Sequence, residues 1–297
     1  MKRIAIALAA VLGAAEVTGA ASAQQQPFDC PNSGDTCVIP YGNDFLDFQY
    51  PYGGIFGDTI VLGRIDLAWG QTLVACVNGQ VQFSRDGAGY SRPALTRNSV
   101  VCVGSGSDVV KVLAPGETQV CSYYGLPFVL TAFQYGTSEL AIYGQGGSDQ
   151  ITGGEGSDQL CGGSGNDRIW GRNGMNELNG GIGNDDLYGG PDIDWLYGAD
   201  GDDIVVDAAG TGGFRHACNA GGQYVPPSRI EGGSGNDCLE LAPYADGWCY
   251  AQMETCDGNV LPCHGGIYCA SGYDRINTPG PQGLSCEVRT SSTACRR

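Results

Sequence analysis

The chain has 297 residues, among them 50 Gly and 14 Cys, and 15 Lys and Arg stand against 32 Asp and Glu for a net charge of −17 at pH 7. A chain this acidic repels nucleic acid and anionic lipid head groups and draws divalent cations. So much glycine, with no sustained 3.6-residue apolar period after the first stretch, excludes a helical bundle and points to an all-β repeat architecture.

Residues 1–23 carry Lys2 and Arg3, an apolar run from Ile4 to Ala15, and Ala21-Ser22-Ala23 before a glutamine triplet. This reads as a secretory signal peptide cleaved after Ala23, not a membrane anchor. Its removal takes away Lys2, Arg3 and Glu16, which brings the net charge to −18 and leaves Lys111 as the only lysine. No later run approaches the roughly 18 apolar residues of a membrane span, so the mature protein is expected to be secreted and soluble. All 14 cysteines follow the leader, from Cys30 to Cys295. In an exported chain an even number implies disulfides before metal. The close spacings of Cys30 with Cys37, and of Cys249, Cys256, Cys263 and Cys269, suggest local loops.

Residues 24–143 form a β-rich N-terminal region. Strand-like runs occur at Phe45 to Tyr50, Thr59 to Leu62, Leu73 to Val77, Val81 to Ser84, Val100 to Val103, Val109 to Leu113, Val120 to Tyr124, Val129 to Phe133 and Glu139 to Tyr143, with turn residues between them. Gly104-Ser105-Gly106-Ser107-Asp108-Val109-Val110 fits most of the repeat that follows, and the stretch from Gly53 to Ile60 nearly does. The region therefore reads as an eroded β-helix continuous with that repeat, with a separate sandwich-like domain as the alternative. Such an extension would cover one open end of a solenoid.

From Gly144 to Glu240 the sequence repeats every nine residues. Glycine opens each unit at Gly144, Gly153, Gly162, Gly171, Gly180, Gly189 and Gly198, and the unit recurs at Gly232. Position eight is always aliphatic: Ile151, Leu160, Ile169, Leu178, Leu187, Leu196, Val205 and Leu239. One inward side chain between two outward ones is a very short strand. Position four is Gly in all but one unit, and position six is Asp in all but one. That suits a tight turn with φ > 0 and a carboxylate aimed at its concave side. Asp can stand in a turn merely solvated, but its recurrence in one column, paired with glycine turns, points to ligands. Two units of turn and strand would make one coil of a parallel β-roll.

These units resemble the repeat-in-toxin (RTX, haemolysin-type) calcium-binding family, whose consensus is G-G-x-G-x-D-x-U-x. The resemblance covers residues 144–206 and 232–240. It implies Ca2+ as cofactor, several ions in all, each between turns two units apart and held by position-six carboxylates and carbonyls of the glycine-rich loop. Hard oxygen donors in a flexible loop suit calcium. The implied ligand set comprises Asp149, Asp158, Asp167, Asp185, Asp194, Asp203 and Asp237, with the turn glycines Gly144, Gly147, Gly162, Gly165, Gly180, Gly183, Gly198, Gly201, Gly232 and Gly235.

The stacking rule sorts the units onto two edges. Asp149, Asp167, Asp185 and Asp203 line the first without a gap. The second carries Asp158, Asn176 and Asp194, with Arg172 and Met175 in one turn and Asp192 where Gly belongs in the next, so weaker binding is expected there. The interruption from Asp207 to Ser228 reads as a loop inserted into one repeat. Arg229, Ile230 and Glu231 then supply that repeat's strand, and Asp237 falls above Asp203. Residues 241–297 hold six cysteines and few aliphatics, and read as a disulfide-stapled C-terminal cap.

Other chemistries find little support. His216 and His264 are the only histidines, neither lies in H-E-x-x-H, and G-x-S-x-G is missing. Cys263-His264 reads as part of the disulfide-rich segment in preference to a zinc set. Trp170 and Tyr188, 18 residues apart at position nine, should stack on one outer face, with Trp195 and Tyr197 on the opposite one. Such rows serve cross-strand contact more often than ligand binding. The favoured reading is a secreted, non-catalytic calcium-binding protein that presents surfaces for adhesion, matrix or surface contact, with a glycan or a protein as partner. The alternative is a secreted hydrolase with the calcium roll as a stabilising module.

Overall fold

The computed structural model describes residues 44–47, 57–67, 70–83, 85–86, 99–133, 140–192, 194–207, 229–234 and 237–241, with short strands at 253–254, 260–261, 266–268 and 275–277. The signal-peptide reading, Gly235 and most of the C-terminal segment lie outside the described residues. Every regular element described is a strand, so the protein is all-β. Among the described residues no helix is long and apolar enough to cross a membrane.

In chain order the strands are β1 (Asp44–Asp47), β2 (Thr59–Leu67), β3 (Gly70–Val77), β4 (Gln80–Phe83), β5 (Arg85–Asp86), β6 (Ser99–Ser105), β7 (Val109–Val112), β8 (Thr118–Tyr123), β9 (Leu126–Thr131), β10 (Leu140–Gly146), β11 (Gln150–Thr152), β12 (Gln159–Ser164), β13 (Arg168–Trp170), β14 (Glu177–Ile182), β15 (Asp186–Tyr188), β16 (Trp195–Asp200), β17 (Ile204–Asp207), β18 (Arg229–Ser234), β19 (Cys238–Leu241), β20 (Met253–Glu254), β21 (Val260–Leu261), β22 (Gly266–Tyr268) and β23 (Arg275–Asn277). Strands of the repeats alternate between two sheets. One runs β22-β18-β16-β14-β12-β10-β6-β1-β5, and the other runs β23-β19-β17-β15-β13-β11-β7-β2 before continuing into β3, β4, β8 and β9.

The register follows from the nine-residue period. A three-residue strand with one inward side chain has no core of its own and must stack on the next. Ile142 pairs with Leu160, Leu160 with Leu178 and Leu178 with Leu196 in one sheet, all parallel. Ile151, Ile169, Leu187 and Val205 do the same in the other. Each of these position-eight side chains is fully buried between the sheets, which contributes about 1.5–3 kcal/mol apiece. After β17 the chain resumes at β18, where Ile230 pairs with Leu196 and is buried in turn. Leu239 then pairs with Val205. Beyond it, β22 and β23 add parallel pairings to β18 and β19.

The N-terminal region joins this stack and then departs from it. β6 pairs in parallel with β10, and β7 with β11, so both extend the two sheets. β2 pairs in parallel with β7 but antiparallel with β3. The β3–β4 hairpin turns on Asn78-Gly79 (φ 49° and 83°) and the β8–β9 hairpin on Tyr124-Gly125 (φ 49° and 81°), the paired positive φ values of tight two-residue hairpins. A second core of Val74, Val81, Leu113 and Leu130 forms there, with Phe83, Tyr123 and Phe128 packed edge to face. The disulfide seen among the described residues, Cys76 to Cys121, staples this N-terminal unit. It lies in the N-terminal region and joins cysteines 45 residues apart, whereas the close spacings in the sequence suggest local loops; the cysteines of the expected C-terminal cap lie outside the described residues. Cys102, Cys161 and Cys238 are disulfide-bonded as well.

The position-four glycines carry the stacking constraint. Gly165 and Gly183 have φ of 133° and 137°, and a Cβ on Gly183 would collide with the Gly165 carbonyl of the coil before it. Gly79 also has positive φ, but no atom lies within 4 Å of the place its Cβ would take. Gly183→Ala should therefore cost more than about 3 kcal/mol, from strain and displaced backbone together. Gly79→Ala should cost about 1 kcal/mol. Equal losses in denaturant melts would contradict this account of the coil.

Candidate metal centre

The position-six aspartates of the first edge are tied into a row by backbone hydrogen bonds. The N–H of Asp149 donates to Asp167 Oδ1 at 2.7 Å, that of Asp167 to Asp185 at 2.7 Å, that of Asp185 to Asp203 at 2.8 Å, and that of Asp203 to Asp237 at 2.8 Å. All five side chains are buried. Oδ1 is thus satisfied by the neighbouring coil. Oδ2 of Asp149 and of Asp167 is buried with no hydrogen-bond partner, which costs about 1–3 kcal/mol or more for a charged group.

The position-one glycines explain where those oxygens point. A Cβ on Gly144 would collide with Asp149 Oδ2 and crowd the Gly162 carbonyl oxygen, and a Cβ on Gly162 would meet Asp167 Oδ2 and the Gly180 carbonyl. Gly198 repeats this with Asp203 Oδ2 and the Gly232 carbonyl, while a Cβ on Gly180 or Gly232 would meet the carboxylate of Asp185 or Asp237. A carboxylate oxygen of one turn and a carbonyl of the next therefore converge on a space that only glycine leaves open. Acceptors gathered in this way, and without a donor at Asp149 and Asp167, make a cradle for a hard cation. Among the described residues no three His, Cys, Asp or Glu side chains gather at one point, so the oxygen donors on offer are one carboxylate per turn plus backbone carbonyls. Gly147, Gly165, Gly183 and Gly201 supply the turn itself, with φ from 124° to 140°.

The second edge is built differently. Asp158 Oδ1 accepts the Leu140 N–H at 3.0 Å and its Oδ2 the Gly154 N–H at 2.7 Å. Asn176 takes the next place, and its Nδ2 donates to the carbonyls of Gly174 at 3.1 Å and Arg172 at 3.4 Å. Asp194 accepts the Asn176 N–H at 2.8 Å. The Gly189 cradle holds both Asp194 Oδ2 and Asp207 Oδ1, 2.6 and 3.0 Å from the place a Cβ would take. Asp207 is fully buried at the end of β17, where the sequence reading had placed the first residue of an inserted loop.

Burial dominates the protonation of these groups. It pushes Asp149 from an ordinary 3.8 to about 8, against the favourable N–H of Asp108, with the charge of Asp167 adding to the rise. Burial likewise takes Asp167 to about 6, and takes Asp194 to about 8 with the charge of Asp207 second.

Some members of the ladder escaped sequence reasoning. The Asp108 N–H donates to Asp149 Oδ1 at 2.8 Å and the Asp58 N–H donates to Asp108 Oδ1, so the row reaches into the N-terminal region. The G-S-G-S-D stretch at 104–108 was the available signal. The cradle does not follow the row, because Val103, in register with Gly144, brings a buried side chain where the repeats keep glycine. Asn78 Nδ2 caps the row's end on Asp58 Oδ1 at 2.6 Å. A second ladder runs along position five in the opposite sense, from Asp202 N–H to Asn184 (2.9 Å), Asn184 N–H to Asn166 (2.8 Å) and Asn166 N–H to Ser148 (3.1 Å). On the outer face Trp170 and Tyr188 stack with centroids 5.8 Å apart and planes at 11°, as their spacing suggested.

Residues 141–169 and 179–206 match the RTX calcium-binding nonapeptide repeat in four copies. This stretch of the chain belongs to the RTX calcium-binding repeats. No curated protein and no solved structure matches the chain.

Two outcomes follow from the buried carboxylates. A carboxylate whose folded value lies above its unfolded one keeps a proton that the unfolded chain has lost. The metal-free fold is then most stable near pH 4 and loses stability progressively as pH rises to about 8. In chelator the melting temperature should fall between pH 5 and pH 8, and the stabilisation by calcium should grow over the same interval, since binding expels those protons. A chelator melting curve that is flat or rises with pH would contradict this. Separately, Asp185→Asn should give that turn the amide that Asn176 gives its own. In chelator it should be about 1–3 kcal/mol more stable than the parent, yet less stable than the parent in calcium. A variant weaker than the parent in chelator as well would contradict the claim that the buried carboxylate destabilises the metal-free turn.

Proposed function

We propose that residues 144–240 bind several calcium ions along the first edge and that calcium closes them into a parallel β-roll. The observation that carries this is the row of buried Asp carboxylates whose second oxygens, free of any hydrogen bond at Asp149 and Asp167, share glycine-lined cradles with carbonyls of the next coil. Asp149, Asp167, Asp185, Asp203 and Asp237 would hold the ions with carbonyls of the glycine turns; on the second edge Asp194 contributes more weakly, and Asp158, both of whose oxygens accept backbone N–H groups, is not among the ligands. Calcium supplies the positive charge that offsets the stacked carboxylates, and their oxygens with the turn carbonyls supply its ligands. Each site filled at a hundredfold excess over its Kd adds about 2.7 kcal/mol.

The biological setting we infer is secretion through the leader at residues 1–23, with a non-catalytic role in adhesion, matrix or surface contact. The stacked Trp170 and Tyr188, flat and half-buried on an outer sheet face, offer the surface for a glycan or protein partner. The test is calorimetric titration of the chelator-treated protein with calcium, followed by far-ultraviolet circular dichroism and melting. Several ions per chain should bind, with a gain of β-signal and a rise in melting temperature. Binding of no calcium, or an unchanged melt on binding, would end this reading.

A further inference from the structure

Asn176 interrupts the aspartate column of the second edge, and every polar group it carries is engaged. Its N–H donates to Asp194 Oδ1, its Oδ1 accepts the Asp158 N–H at 3.0 Å, and its Nδ2 reaches two carbonyls of its own turn. The Nδ2 lies 2.7 Å from the place a Gly171 Cβ would take, the place where Oδ2 stands in the aspartate turns. The turn therefore contains a donor where the first edge has an acceptor in want of a cation. One coil earlier, both oxygens of Asp158 accept backbone N–H groups. Arg172, at position two with φ of 70°, sets a fixed positive charge beside this stretch and anchors it through Nη1 to the Val112 carbonyl at 3.0 Å.

We infer that the second edge, over the turns at 153–158 and 171–176, is a metal-independent seam. The Asn176 amide and the N–H groups of Leu140 and Gly154 do there what calcium does on the first edge. This rests on the calcium reading of the first edge. Its consequence is that calcium loss opens the coils on one side only. The second edge keeps them in register, so the first can close again without a search for pairing partners.

The test is residue-resolved hydrogen exchange by nuclear magnetic resonance on the intact chain, in saturating calcium and in chelator. Removing calcium should speed exchange at the amides of Asp149, Asp167 and Asp185 by at least about tenfold, and at those of Asp158 and Asn176 by less than about twofold. Equal acceleration at both edges would overturn the seam while leaving calcium binding in place. No change at either edge would overturn the calcium reading and the seam with it. In a second arm, Asn176→Asp should bind one more calcium than the parent and make the Asp158 amide calcium-dependent. A variant with the parent's calcium count and exchange would also overturn the inference.

Discussion

Stacking identical turns puts identical charges on top of one another, and the rest of this structure depends on how that is answered. Coils repeat at the strand spacing of about 4.8 Å. At that distance two carboxylates repel by about 1 kcal/mol even in water, and by several times more where water is excluded. Backbone N–H groups settle one oxygen of each first-edge carboxylate. At Asp149 and Asp167 the other oxygen is left to protons or to a cation, and burial drives the Asp149 carboxyl far above its ordinary value.

The same repeat meets the constraint in two ways on its two sides. Where position six is Asp above Asp, the glycine at position one leaves room for a shared ion. Where Asn176 and Arg172 intervene, an amide and a guanidinium replace it. Towards the N-terminus the row continues as hydrogen bonds, but Val103 fills the cradle and Asn78 caps the last carboxylate. A neutral amide thus ends the charge ladder where the antiparallel hairpins take over.

Much of this was legible in the sequence because a fixed period removes most freedom of register. Position eight had to be inward, position four of the first edge had to carry positive φ, as Gly147, Gly165, Gly183 and Gly201 do, and residues 18 apart had to meet, as Trp170 and Tyr188 do. The strand runs of the N-terminal region were legible too, from β-branched and aromatic runs between turns. Their pairing was not, since nothing local decides whether β2 takes β3 or β7 as neighbour, and it takes both. Cys76 and Cys121 were hidden for a similar reason: their partnership depends on that non-local hairpin packing. Asp207 looked like loop because glycine normally stands at position one, and only stacking shows it buried beside Asp194.

The most direct measurement of the central claim is anomalous X-ray diffraction from crystals grown with calcium and soaked with a lanthanide. The account predicts ion peaks in a row along the first edge, spaced by about 4.8 Å, each against an aspartate Oδ2 and a carbonyl of the next coil, with none against the Asn176 amide. Calcium-saturated crystals without peaks on the first edge, or with ions seated at Asn176, would contradict it.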